Sequence, residues 1–99
     1  MDIKVHSIRF DADKKLLEFI DKKVSKLMQF YDHIIDAEVF LRLDKDQSLE
    51  NKVVEVKLNI PGNDLFAKKQ SKSFEESADL ATEALRRQLK KTKEKQRGL

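Results

Sequence analysis

The 99-residue chain contains no cysteine, which excludes disulfides, thiolate catalysis and zinc–thiolate sites and suits a reducing cytosol. Only two glycines occur, Gly62 and Gly98, which excludes a P-loop or a dinucleotide fingerprint. The two histidines, His6 and His33, fall in different elements without a patterned acidic or hydroxyl partner, so neither reads as a general base. Asp44-Lys45-Asp46-Gln47-Ser48 with Glu55 in the twelfth position faintly suggests a calcium loop, but Leu49 stands where glycine is required. No apolar run approaches the roughly 18 residues that cross a bilayer. The opening MDIKVHSIRF alternates where a signal peptide would be continuously apolar. The expectation is a cytoplasmic protein that is not an enzyme, needs no membrane, and takes no metal, cofactor or small-molecule substrate.

What is present is charge, and it is unevenly placed. The stretch Arg86 to Arg97, RRQLKKTKEKQR, holds seven of the 21 Lys and Arg residues and one of the 18 acids, Glu94. The rest of the chain has 14 bases and 17 acids, a formal −3, so the whole net charge of +3 is a local +6 on a mildly acidic body. Solubility would need only an even scatter; segregation points to a face for a polyanion.

The length allows one domain over residues 1–99. Residues 2–10 read as a strand with a change of face near Ser7. Asp11 or Asp13 can cap a helix, with acids in its first turn. Leu16, Phe19, Ile20, Val24, Leu27 and Met28 then make one apolar helical face ending near Gln29 or Phe30. A second strand spans about 34–43, with Ile35, Ala37, Val39, Leu41 and Leu43 on its buried side. Lys45 to Asn51 is a polar loop, and Val54, Val56, Leu58 and Ile60 mark a third strand. Pro61-Gly62 fits a type II turn into a short fourth strand around Leu65 to Lys69. Ser73 caps a last helix whose buried stripe is Phe74, Ala78, Ala81, Leu85 and Leu89. The predicted fold is an α+β two-layer sandwich in the order βαβββα, a four-stranded sheet with both helices on one face. The other face, with Asp36, Glu38 and Glu55, is expected to be exposed and acidic, with Phe40 its one aromatic. Phe10, Phe19, Phe30 and Phe74 read as core.

Beyond Leu89 the last helix has no apolar residue until Leu99, so the tail from about 90 to 99 is expected to fray. Arg86, Lys90, Lys93 and Arg97 form one row along it, and Arg87, Lys91 and Lys95 an adjacent row. Helix-dipole compensation favours cations only within the last turn, and this run extends over three. The first helix adds Lys15, Lys22, Lys23 and Lys26, with Lys22 and Lys26 stacked at i, i+4, so a groove between the helices would be cationic on both sides. Lys68, Lys69 and Lys72 extend the patch, or protect an edge strand from aggregation. An acidic sheet face with little aromatic surface disfavours base stacking there. Contacts should go to phosphates, and about six of them would cost roughly a thousandfold in affinity between 50 and 200 mM salt.

Leu16-x-x-Phe19, Lys23-x-x-Lys26-Leu27, Asp32-x-Ile34 and the terminal Leu85-x-Arg87-Gln88-Leu89-x-Lys91-x-Lys93-x-Lys95 resemble the ribosome hibernation promoting factors, the family that also contains ribosome-associated inhibitor A. The resemblance spans nearly the whole chain. It implies a fold similar to double-stranded RNA-binding domains with an added first strand, in a bacterial protein of the short form. It also implies binding to the small ribosomal subunit, in the channel of messenger RNA and tRNA, with translation blocked sterically under stress or in stationary phase. Carried over by position, the rRNA-contacting set is Lys23, Lys26, Arg87, Lys91, Lys93 and Lys95; helical geometry adds Lys22, Arg86 and Lys90. Glu75 departs from the family pattern, which often has an aromatic there. The chain also stops after the basic tail, without the domain by which long members dimerise ribosomes. A free monomer is expected. A general structured-RNA module, or a docking helix for an acidic protein, are the alternatives.

Overall fold

The computed structural model describes residues 2–44 and 49–96. Its elements are β1 (Asp2–Ser7), α1 (Lys14–Phe30), β2 (Asp36–Leu43), β3 (Lys52–Ile60), β4 (Asn63–Ser71) and α2 (Phe74–Gln96), the predicted βαβββα order. The sheet order is β1-β2-β3-β4, with β1 parallel to β2 and the other neighbours antiparallel. Residues 45–48 of the expected polar loop, the calcium-like motif within them, and Arg97 lie outside the described residues.

Local chemistry accounts for the boundaries. The Leu16 amide donates to Asp13 Oδ1 at 2.8 Å, so Asp13 is the cap of α1. The first turn itself carries no acid; it opens Lys14-Lys15, and the aspartates expected inside it stand before it. Ser73 caps α2 by accepting from the Glu76 amide at 3.1 Å. Gly62 has φ +80°, which a type II turn requires at its third position, and the hairpin closes on the pair Ile60 and Asn63. Because that turn is tight, β4 pairs with β3 along nine residues and is longer than the short strand expected.

The core lies between the helices and one sheet face. Val39, Leu41, Val54, Leu58, Leu85 and Leu89 are inaccessible to solvent, and each contributes about 1.5–3 kcal/mol through burial. Ala78 and Ala81 are also buried, small enough to let α2 approach the sheet closely. Ser71 and Ser77 hydroxyls lie 2.7 Å apart beneath the start of α2, with Ser77 donating to Lys52 O at 2.7 Å. These bonds replace water for polar groups that the helix covers. Ile35 and Leu43, assigned to the core by alternation, are 53% and 47% exposed; Ile35 precedes β2 and Leu43 is its last residue, so both lie at the margins of the sheet.

The open face differs from expectation. The registers set four rows across it: Asp2–Asp36–Asn59–Asp64, Lys4–Glu38–Lys57–Phe66, His6–Phe40–Glu55–Lys68, and Ile8–Arg42–Val53–Gln70. Five acids there meet four bases, so the face is close to neutral, and acidity is confined to the first row. Glu55 pairs with Arg42 and lies 3.9 Å from Lys68; Lys57 and Asp64 are 3.6 Å apart. Phe66 joins Phe40 on this face, and Phe40 stacks on His6 with ring centroids 5.0 Å apart. Cross-strand pairing, invisible in one strand's sequence, produced this balance.

At the end of β1 the chain turns through Arg9, with φ 65°. That left-handed conformation costs a residue with a Cβ on the order of 1 kcal/mol. The turn carries Phe10 onto Phe74, where the rings stack 5.0 Å apart and join the β1–α1 connection to the start of α2.

Candidate nucleic-acid interface

The apolar stripes of α1 and α2 fix how the helices lie on the sheet, and that placement decides which cations meet. On α1, Phe19, Lys23, Lys26 and Phe30 recur at i, i+4, i+7 and i+11 and flank the stripe on the side toward α2. On α2, Asp79, Glu83, Arg86, Lys90 and Lys93 follow the same rhythm. Alternating steps of four and three residues hold a side chain on one helix face, because each pair of steps nearly completes two turns. An open groove of about 1060 Å³ results, lined by Lys23 and Lys26 from one side and Arg86, Arg87, Lys90 and Lys93 from the other.

Six of the nine predicted site residues are therefore brought together. Lys22, Lys91 and Lys95 are exposed but do not line the groove. The row Arg87, Lys91, Lys95 advances by fours, and each such step turns about 40° further round the axis. It begins at the groove rim and walks away over the crown of α2. Lys68 sits on the open sheet face beside Glu55, so it extends no groove, and Lys69 and Lys72 line none of it either.

The groove has two electrostatic halves. Toward the start of α2, Lys23 pairs with Asp79 at 2.6 Å and Arg87 lies 3.8 Å from Glu83. Toward its other end, Lys26, Arg86, Lys90 and Lys93 have no carboxylate within ion-pair distance among the described residues. Glu94 also lines the groove, without an ion-pair partner among the described residues.

Phe30, read from the sequence as core, is half-buried and organises this free half. The Arg86 guanidinium lies 5.1 Å from its ring centroid and the Lys93 ammonium 4.7 Å, and Lys93 Nζ also donates to Phe30 O at 3.1 Å. Lys23 lies similarly over Phe19, at 5.5 Å. Cation–π contacts of this kind contribute about 0.5–1 kcal/mol each at exposed sites. They align cations that would otherwise repel one another. The signal was present in the sequence: both phenylalanines share the i, i+4, i+7, i+11 face with Lys23 and Lys26. The Lys93 contact also bears on the tail. α2 remains helical through Gln96, tied across to α1 one turn before its end.

Among the described residues no group of three or more His, Asp or Glu side chains could hold a metal ion, and no helix is long and apolar enough to cross a membrane. Fold and groove together define a small α+β protein with an open groove between its two helices, one half of which gathers cations without carboxylate partners among the described residues.

Comparison with known proteins makes the class specific. Residues 3–97 match the sequence profile of the family described as Sigma 54 modulation protein / S30EA ribosomal protein. The chain belongs to this family, that of the ribosome hibernation promoting factors. The ribosome hibernation promoting factor of Pseudomonas putida is 28% identical over 99 residues, covering all of this chain and 93% of that protein. The ribosome hibernation promotion factor of Bacillus subtilis is 29% identical; the match covers 96% of this chain but 50% of the longer relative. Among solved structures, a ribosomal subunit interface protein from Coxiella burnetii superposes with a TM-score of 0.83 at 26% identity, over 94% of this chain and 98% of that one. The N-terminal domain of Thermus thermophilus Protein Y shares the fold with a TM-score of 0.78 at 20% identity, over 93% of this chain and 99% of that one.

Proposed function

We propose that this protein is a ribosome hibernation factor that binds ribosomal RNA of the small subunit through the α1–α2 groove. It occupies the channel of messenger RNA and tRNA, and it inhibits translation by occupancy under stress or in stationary phase. The reading rests on one observation above all: Lys26, Arg86, Lys90 and Lys93 converge from two helices and lack carboxylate partners among the described residues. Such a seam releases the counterions condensed on RNA without first breaking ion pairs of its own. Family membership and relatives named as hibernation factors support the ribosome as the partner. The mechanism needs no bond-making step, and a cytoplasmic location follows from such a partner.

Sedimentation of the purified protein with separated ribosomal subunits at low salt tests the reading. Co-migration with the small subunit, reversed by tRNA and messenger RNA, is the expected result. Absence of co-migration would overturn it. Binding that tRNA and messenger RNA leave untouched would point to a general structured-RNA module, and retention after nuclease digestion to an acidic protein partner.

A further inference from the structure

Along α2, the side of the groove that this helix supplies changes sign twice. Asp79 and Glu83 come first, Arg86, Lys90 and Lys93 follow, and Glu94 closes the series; all six line the groove. Seven residues separate Arg86 from Lys93, an axial distance of about 10.5 Å. A duplex advances about 3.4 Å per phosphate on each strand, so the cationic run faces about three phosphates of one strand. The whole side from Asp79 to Lys93 is about 21 Å long and would face about six.

The needs of the helix do not account for the first two acids. The dipole favours carboxylates only within the first turn, where Glu75 and Glu76 already stand. Asp79 and Glu83 are the sixth and tenth residues of α2. Their side chains are 57% and 68% exposed, so their pairs with Lys23 and Arg87 add little to folding. What they change is the groove. Lys23, its own side chain 29% exposed, lies over the Phe19 ring at 5.5 Å and meets Asp79 Oδ1 at 2.6 Å. Ring and carboxylate together hold the ammonium, and a phosphate reaches it only by displacing Asp79. Glu83, one turn further along α2, lies 3.8 Å from Arg87.

A strand that continued along the groove past Arg86 would bring its next phosphates against these two carboxylates. Like charges at close range repel, and a built-in repulsion of this kind discriminates among ligands. A backbone that crosses the groove, or turns out of it, within the cationic run meets no such cost. Folded RNA offers bends of this sort; a straight strand does not.

We propose that Asp79 and Glu83 are specificity-determining residues, which shorten the groove's footprint to about three phosphates and so select RNA that bends or crosses there over RNA that runs along it. The inference rests on the groove being the RNA site and adds the class of backbone path that it accepts.

The test titrates the full chain, at several salt concentrations, with tetrauridylate, whose phosphodiesters match the cationic run, and with dodecauridylate, which is long enough to cover the whole groove. Asp79→Asn with Glu83→Gln should tighten dodecauridylate by about tenfold and steepen its log–log salt slope by about 1.4, because Lys23 and Arg87 become two further contacts to single-stranded RNA. The slope for tetrauridylate should not change, and selectivity for the small subunit over dodecauridylate should fall by about tenfold. Asp79→Glu with Glu83→Asp, which keeps both charges, should behave as the unaltered protein does. Asp2→Asn with Asp64→Asn, on the open sheet face, removes the same charge and should leave the dodecauridylate slope where it was. An unchanged dodecauridylate slope in the first variant, an equal steepening for tetrauridylate, or an equal gain on the small subunit or from the sheet-face pair overturns the proposal. The slopes are read on oligonucleotides alone, so failure here is distinct from failure of the unaltered protein to sediment with the small subunit, which overturns the functional reading.

Discussion

Lys23 belongs to the expected RNA-contacting set, yet its ammonium is engaged by Asp79 at 2.6 Å. An exposed pair of this kind adds about 0–1 kcal/mol to stability, so its loss is tolerable to the fold. Its effect on binding is larger, because an RNA phosphate must displace the carboxylate before it reaches Lys23. Asp79→Asn should therefore tighten RNA binding and steepen its log–log salt dependence by about 0.9 for a duplex ligand. Filter binding at several salt concentrations measures both, and an unchanged slope together with an unchanged affinity would show that Lys23 contacts no phosphate. Phe30 teaches a related lesson at the other end of the groove. Its ring carries Arg86 and Lys93, so an apolar side chain sets the direction of two charges.

For α2, the angular phase of each cation matters more than the number of cations. Lys90 and Lys93 face α1, whereas Lys91 and Lys95 ride over the crown and toward the far flank. A charge-assisted contact contributes about 1.5–3 kcal/mol. Lys90→Glu with Lys93→Glu should thus weaken binding to the small subunit by roughly tenfold or more beyond the effect of Lys91→Glu with Lys95→Glu. The two double variants carry the same net charge, so long-range electrostatics cancel in the comparison. Equal losses in a sedimentation assay would mean that the groove has no advantage over the crown in meeting RNA. Circular dichroism on both variants separates binding from helix loss, since Lys93 also tethers α2 to Phe30 O.

Taken whole, the molecule gathers four cations without carboxylate partners among the described residues at one end of the inter-helix groove, while ion pairs across the strands balance the sheet's outer face. With four cations in the groove unpaired among the described residues, log affinity for duplex RNA should fall with log salt at a slope near −3.6, about a hundredfold between 50 and 200 mM. Six independent contacts, the number suggested by counting basic residues, would give the steeper thousandfold loss. Equilibrium titrations at five or more salt concentrations distinguish the two slopes. A slope beyond −5 would show that Lys23 and Arg87 exchange their carboxylates for phosphates on binding.

Element order, both helix caps, the Pro61-Gly62 hairpin and the segregation of charge were legible in the linear chain. Each depends on neighbours within a few residues, where hydrogen-bond reach and helical or strand period decide the outcome. The outer sheet face was not. Glu55 read as a bare acid until the register set Lys68 beside it and Arg42 within ion-pair reach. Likewise the split of the basic set, with Lys26, Arg86, Lys90 and Lys93 free and Lys23 paired, needed α1 and α2 set against each other. Local periodicity fixed which residues could share a face; only packing between distant segments chose which charges would be cancelled and which left without a partner, because Coulomb pairing depends on distances that chain separation does not encode.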